Sequence, residues 1–151
     1  MKPYFEYSDT LNKPYEAFLF DAQTSAIFPI LPHWHYFVEI LYMVEGNAYV
    51  EAGEENYVLE PGDLIVFYPQ MTHAIYSTGQ FPIRYYVLKF DPAHLNISGS
   101  ALPSISRLIA MASEEKEVSV YLEKEKLDQR KVKQLIQESM KELEEKRFGY
   151  D

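Results

Sequence analysis

Four side chains in this 151-residue chain have the chemistry to take up a metal ion: His33, His35, Glu39 and, further on, His73. Imidazole nitrogens and a carboxylate oxygen are donors that zinc, nickel, iron and manganese accept. Residues two apart share one face of a strand, so His33, His35, Phe37, Glu39, Leu41 and Met43 form a single face. Burying three ligand-type groups there demands something polar among them. At about 3.3 Å per residue, His35 and Glu39 stand roughly 13 Å apart on a straight strand. They converge only if the side chains lean together or if the strand bends at Tyr36-Phe37-Val38, for instance as a bulge. A second use of the same groups is to line a pocket and exchange hydrogen bonds with a polar ligand, with no metal.

Other chemistries lack their residues. The chain has no cysteine, so thiolate metal sites and disulfides are excluded together. No serine stands in a Gly-x-Ser-x-Gly elbow, and the six glycines form no phosphate-binding loop.

The elements that must position the four donors read as short strands. Ala17–Phe20 is one, and Ile27–Pro32, with two prolines that forbid helix, leads into the histidines. Glu39–Val44, Ala48–Ala52, Tyr57–Leu59, Leu64–Tyr68, Ala74–Tyr76 and Ile83–Phe90 follow. Glu45-Gly46-Asn47 carries a hairpin signal, residues 53–56 a loop, and Glu60-Pro61-Gly62-Asp63 the Pro and Gly of a type II turn. Short strands at this spacing predict an antiparallel sandwich or barrel. After Asp91-Pro92 the period becomes helical. Ser104 is placed to cap a helix bearing Ile105, Leu108, Ile109 and Ala112. Residues 118–122 form a candidate strand. A second helix is expected from about Asp128 to Lys146, with Val132, Leu135, Ile136, Met140 and Leu143 on one face and Glu138, Glu142 and Lys146 on the other. It packs on its own barrel or forms a dimer seam. Residues 1–14 are an edge strand, an arm over a pocket or a loose terminus, and Trp34, of opposite parity to the histidines, packs under that arm or a helix.

The length suits one domain with a full core. The formal charge of −9 argues against binding of nucleic acid or anionic membrane by these residues. The excess acid lies within residues 1–113, at roughly −7. The start Met1-Lys2-Pro3-Tyr4-Phe5-Glu6 lacks the apolar core of a secretory signal, and no apolar run approaches a membrane span. A cytoplasmic location is expected.

His33-x-His35-x3-Glu39-x6-Gly46 resembles the first cupin motif, and Gly62-Asp63 followed by Pro69 and His73 resembles the second. Within cupins the chain is most similar to the sensory domain of AraC-type transcription regulators, through His33-Trp34-His35, Glu39-Ile40-Leu41-Tyr42, Glu60-Pro61-Gly62-Asp63-Leu64 and Lys89-Phe90. The tail Met140–Tyr150 resembles that family's junction before its dimer helix. Backbone-shaping positions depart from the pattern: a motif glycine falls at Ile27, another is missing from Pro69-Gln70-Met71, and an asparagine falls at Ser77.

The resemblance implies a mostly-β fold, a cupin double-stranded β-helix (jelly-roll barrel) over residues 1–98 including the arm. Residues 99–151 then form helices leading to a dimerisation region. It implies a small-molecule effector, often a sugar, a homodimer, and DNA contact only through a helix-turn-helix part outside this sequence. The expected effector pocket comprises His33, His35, Glu39, His73, Ile75, Arg84, Tyr85 and Val87, with Arg84 at the rim. The same His33, His35, Glu39 and His73 would hold a divalent metal (Zn, Ni, Fe or Mn) if one binds. No cofactor is required and no catalytic residue is assigned under this reading. The alternative is a small metal-dependent cupin enzyme, a dioxygenase or isomerase.

Overall fold

The structure, a computed structural model, describes residues 1–7, 13–94, 105–115 and 119–145. Among the described residues ten strands and two α-helices are formed: β1 (Tyr4–Phe5), β2 (Tyr15–Asp21), β3 (Ile30–Trp34), β4 (Val38–Glu45), β5 (Ala48–Ala52), β6 (Glu55–Leu59), β7 (Leu64–Phe67), β8 (His73–Ser77), β9 (Arg84–Phe90), α1 (Ile105–Glu114), β10 (Tyr121–Leu122) and α2 (Gln129–Glu145). The expected boundary at 98/99, the Ser104 cap, Val118, Lys146 and the tail from 147 lie outside the described residues.

The strands make two five-stranded sheets, ordered β1-β3-β8-β5-β6 and β10-β7-β4-β9-β2. All pairs are antiparallel except β1 with β3. Alternation decides what goes inside. In β9, Tyr85, Val87 and Lys89 are buried while Arg84, Tyr86 and Leu88 point the other way. Leu41, Met43, Val50, Ile65, Phe67 and Ile75 pack between the sheets. This is a jelly roll.

Two expected turns differ. Residues 45–47 make no hairpin, because β4 pairs with β7 and β9 while β5 pairs with β6 and β8. The chain there crosses from one sheet to the other. Gly46 is required at the crossing, since its φ is +73° and a Cβ would collide with the Pro82 carbonyl. The hairpin is the next one, where Ala52 opposes Glu55 across a two-residue turn, Gly53-Glu54.

The turn at residues 60–63 forms as expected, with Gly62 at φ +97° and the Asp63 N–H donating to the Glu60 carbonyl (3.0 Å). Asp63 is buried and fully used. It accepts from the Glu60 N–H (2.8 Å), the Lys124 N–H (2.9 Å) and the Tyr121 hydroxyl (2.9 Å). One carboxylate thus pins the segment entering α2 onto the barrel. Asp128 caps α2 through the Lys131 N–H (3.2 Å). The helix covers the outer face of the second sheet, its Val132, Leu135 and Ile136 meeting Ile40, Leu64, Tyr86 and Leu88 around a small apolar cleft of about 150 Å³. α2 therefore packs on its own barrel, although Leu135 stays 63% exposed. Trp34 packs against Phe5, ring centroids 4.7 Å apart, so the arm takes it and not a helix.

Candidate metal and ligand site

The bend that brings the donors together is not a bulge within one strand. β3 ends at Trp34, the chain runs irregularly through residues 35–37, and β4 begins at Val38 in the opposite sheet. His33 and His35 thus approach from one sheet and Glu39 from the other. His73 opens β8 directly across from His33. The donor atoms of His33, His35, Glu39 and His73 all lie within 4.8 Å of one another, and all four residues are buried.

Each imidazole faces a backbone carbonyl with its Nδ1: His33 that of Leu31 (2.9 Å), His35 that of Phe37 (3.2 Å) and His73 that of Met71 (2.9 Å). A carbonyl only accepts, so in the neutral ring each Nδ1 carries the proton and each Nε2 turns a lone pair inward. Those lone pairs meet the Glu39 carboxylate, at 2.9 Å from His35 Nε2 and 3.5 Å from His73 Nε2. Acceptors facing acceptors need protons or a cation between them. Burial, then the neighbouring His73, hold the His33 imidazole below its ordinary pKa, which opposes the protons. His73 Nε2 is fully buried with no hydrogen-bond partner among the described residues. Orienting each ring by an N–H donated to a carbonyl is how metal-bound histidines are commonly held. The donor set fits a divalent cation, which would supply a Lewis acid at this point.

The loop before His73 carries a strained residue that serves the cluster. Gln70 has φ +68°, a left-handed conformation unusual for a side-chain-bearing residue. Its N–H donates to the His35 carbonyl at 2.7 Å. The position adjoins Met71, where the motif pattern has its glycine.

Two charged residues that sequence reasoning missed complete the centre. Lys89 is buried, with Nζ 2.8 Å from Glu6 Oε2 and 3.7 Å from Glu39 Oε2. The same Glu6 oxygen lies 3.7 Å from His33 Nε2 and 3.9 Å from His35 Nε2. Burial alone would lower the pKa of the Lys89 ammonium, but Glu39 and Glu6 outweigh it and raise it. Burial likewise pushes the Glu39 carboxyl up, and His35 and His73, where an Nε2 proton faces the carboxylate, together with Lys89 reverse this and hold it well below its ordinary value. Lys89 could have been found by counting two residues on from Val87. Glu6 gave no signal, because nothing local announces that β1 will lie parallel to β3.

Beside the cluster a cavity of about 520 Å³ opens to the surface. Its wall includes Phe18, Phe20, Ile75, Tyr85 and Val87, with Glu6, Glu39 and Lys89 at its charged end. Of the residues expected in the pocket, Glu39, Ile75, Tyr85 and Val87 line this cavity, whereas His33, His35 and His73 do not. Arg84 does not belong to it. It has the opposite parity to Tyr85 and pairs with Asp21 and Glu45, each at 3.4 Å. Burial, and then Glu39, push the Tyr85 hydroxyl pKa up, so that group stays neutral.

A jelly roll with three inward histidines and a glutamate between its sheets places the chain among the cupins. Within them it belongs to the AraC-like ligand binding domain family, whose model matches residues 25–151. No curated protein matches the chain. Among solved structures it is similar to the cupin domain of Schizosaccharomyces pombe Cnp3, at 9% identity and TM-score 0.49 over 59% of each chain. It is also similar to FeII HppE, at 18% identity and TM-score 0.45 over 51% of this chain and 43% of that one. DMSP lyase DddQ from Ruegeria pomeroyi DSS-3 is similar at 21% identity and TM-score 0.44, over 58% of this chain and 41% of the lyase. The matches to these three span less than two thirds of the neighbours' length.

Proposed function

We propose that this chain is the effector-sensing and dimerisation part of an AraC-type transcription regulator, acting through a helix-turn-helix part that contacts DNA. The effector is a small polar-headed molecule, a sugar being the first candidate. It occupies the cavity beside Glu39, and the protein works as a cytoplasmic homodimer. The observation that carries this reading is the 520 Å³ cavity with its charged end, in a chain of the AraC-like ligand binding family. Such a volume is within the range of about 300–1,000 Å³ that suits a small ligand. The pocket residues are Glu39, Ile75, Tyr85 and Val87, with Glu6 and Lys89 added. A panel of sugars and small acids tested by thermal shift should contain a compound that raises the melting temperature and is recovered unchanged. Conversion of that compound into product would overturn the reading.

One observation favours a second reading, a metal-dependent cupin enzyme: the orphaned His73 Nε2 among two further imidazoles and a carboxylate. Loading with iron(II), nickel, manganese or zinc, followed by product detection on the ligands found above, separates the two.

A further inference from the structure

Lys89 is a cation set into the wall of an apolar cavity, and its one hydrogen-bond partner among the described residues is a carboxylate carried in by the chain's own arm. That arm is lightly held. Tyr4 and Phe5 are 50% and 44% exposed, and β1 pairs with a single neighbour, β3. One oxygen, Glu6 Oε2, makes every ionic contact of the residue, to Lys89, His33 and His35. Glu6 and Glu39 already set two carboxylates against the single ammonium of Lys89, so a third anion is repelled while Glu6 stays. Behind Lys89, Phe20 and Tyr85 stack at 4.8 Å beside Ile75 and Val87, a surface for an apolar, ring-sized body.

We propose that Lys89 and the cavity beside it form a binding subsite for an amphiphilic carboxylic acid, and that Glu6 holds the place of the ligand's carboxylate until the ligand displaces it. The proposal rests on the effector-binding reading above and narrows it from small polar molecules in general to acids. An ammonium buried in a low-dielectric wall recognises a carboxylate strongly and gives a neutral isostere no equivalent contact. Departure of Glu6 frees the arm, because its backbone N–H bond to the Trp34 carbonyl (2.9 Å) lies at the same residue.

The test titrates the chain with 3-phenylpropionate and with 3-phenylpropionamide, reading affinity by calorimetry and the arm by amide hydrogen exchange at Glu6. The acid should bind, and exchange at the Glu6 N–H should accelerate, while the amide does neither. Glu6→Gln weakens the internal competitor and should tighten acid binding about tenfold. Lys89→Met should abolish the preference for acid over amide, and Lys89→Arg should restore it, which guards against a folding defect in the first variant. Equal binding of acid and amide, no binding of the acid to either wild type or Glu6→Gln, or unchanged acid affinity in Glu6→Gln would each overturn the proposal. A neutral sugar that stabilises the chain while the acid does not would overturn it too, yet leave the effector reading standing. Turnover of a bound ligand would overturn that reading and spare the subsite.

Discussion

Asp63 and Glu39 are both buried carboxylates on the second sheet's side of the barrel, and their surroundings differ in kind. Asp63 faces donors only: two backbone N–H groups and a tyrosine hydroxyl, all within 2.9 Å. Its neighbourhood is closed, and its work is to tie the approach to α2 onto a turn. Glu39 faces three imidazole nitrogens and a lysine ammonium that it shares with the arm. Its neighbourhood has a lone pair without a partner and a cavity at its side. A buried acid whose bonds are complete holds a fold together. One whose bonds are incomplete among the protein's own groups is placed to bind something else.

Substitutions can break this contrast. Asp63→Ala should cost about 3 kcal/mol or more, because it strands the Glu60 and Lys124 N–H groups and the Tyr121 hydroxyl. Denaturant unfolding would show it, and zinc affinity should change little. If zinc binding collapsed while the fold held, the two acids would not be separable.

Glu39→Gln should do the reverse. Loss of the one carboxylate among the four donors should weaken zinc binding by at least about a hundredfold, exceeding the effect usual for a residue that only orients a ligand. Zinc should raise the melting temperature of the wild type and leave that of the variant in place.

In metal-free protein the acid limb should follow both Glu39 and His33. Each has a folded pKa below its unfolded one, so the folded state binds fewer protons and stability rises with pH. Stability should fall first as pH drops below 6.5, the ordinary value for His33, and fall again below 4.5, that of Glu39. Glu39→Gln should remove the second step in a pH series of unfolding curves. A limb identical to wild type would contradict the charge assignment.

The mildest change is Gly62→Ala, expected to cost about 1–2 kcal/mol from its left-handed backbone. Its Cβ would also press on Lys124, at 3.0 Å. The cost should register in unfolding and not in zinc affinity.

What could be read in the sequence follows the range of each physical rule. Side-chain parity is local, and it anticipates the shared burial of His33, His35, Phe37, Glu39, Leu41 and Met43 even though residues 35–37 break the strand. Turn chemistry is local as well, but it marks only that the chain turns. Gly46 serves a crossing between sheets with the same residue type that a hairpin uses, and only the pairing of β5 with β8 tells them apart. Resemblance puts Arg84 at the pocket rim, while its shared parity with Tyr86 and Leu88 sets it on the face opposite Tyr85 and Val87. Glu6 was out of reach because it meets Lys89 across 83 positions of sequence. The AraC-type likeness was legible because its motifs are contiguous, and it agrees with the family match over residues 25–151.

Gln129, the first residue of α2, joins three parts of the molecule. It accepts from the Tyr42 hydroxyl (2.6 Å) and donates to the carbonyls of Gly62 (3.1 Å) and Lys124 (2.9 Å). Tyr42 lies three residues along β4 from Glu39, about 10 Å at the rise of a strand. A paired strand is stiff over that length, so β4 acts as a short beam with the histidine cluster at one end and the root of the helix at the other. The helix that covers the barrel and the donor cluster inside it are therefore surveyed from one common datum.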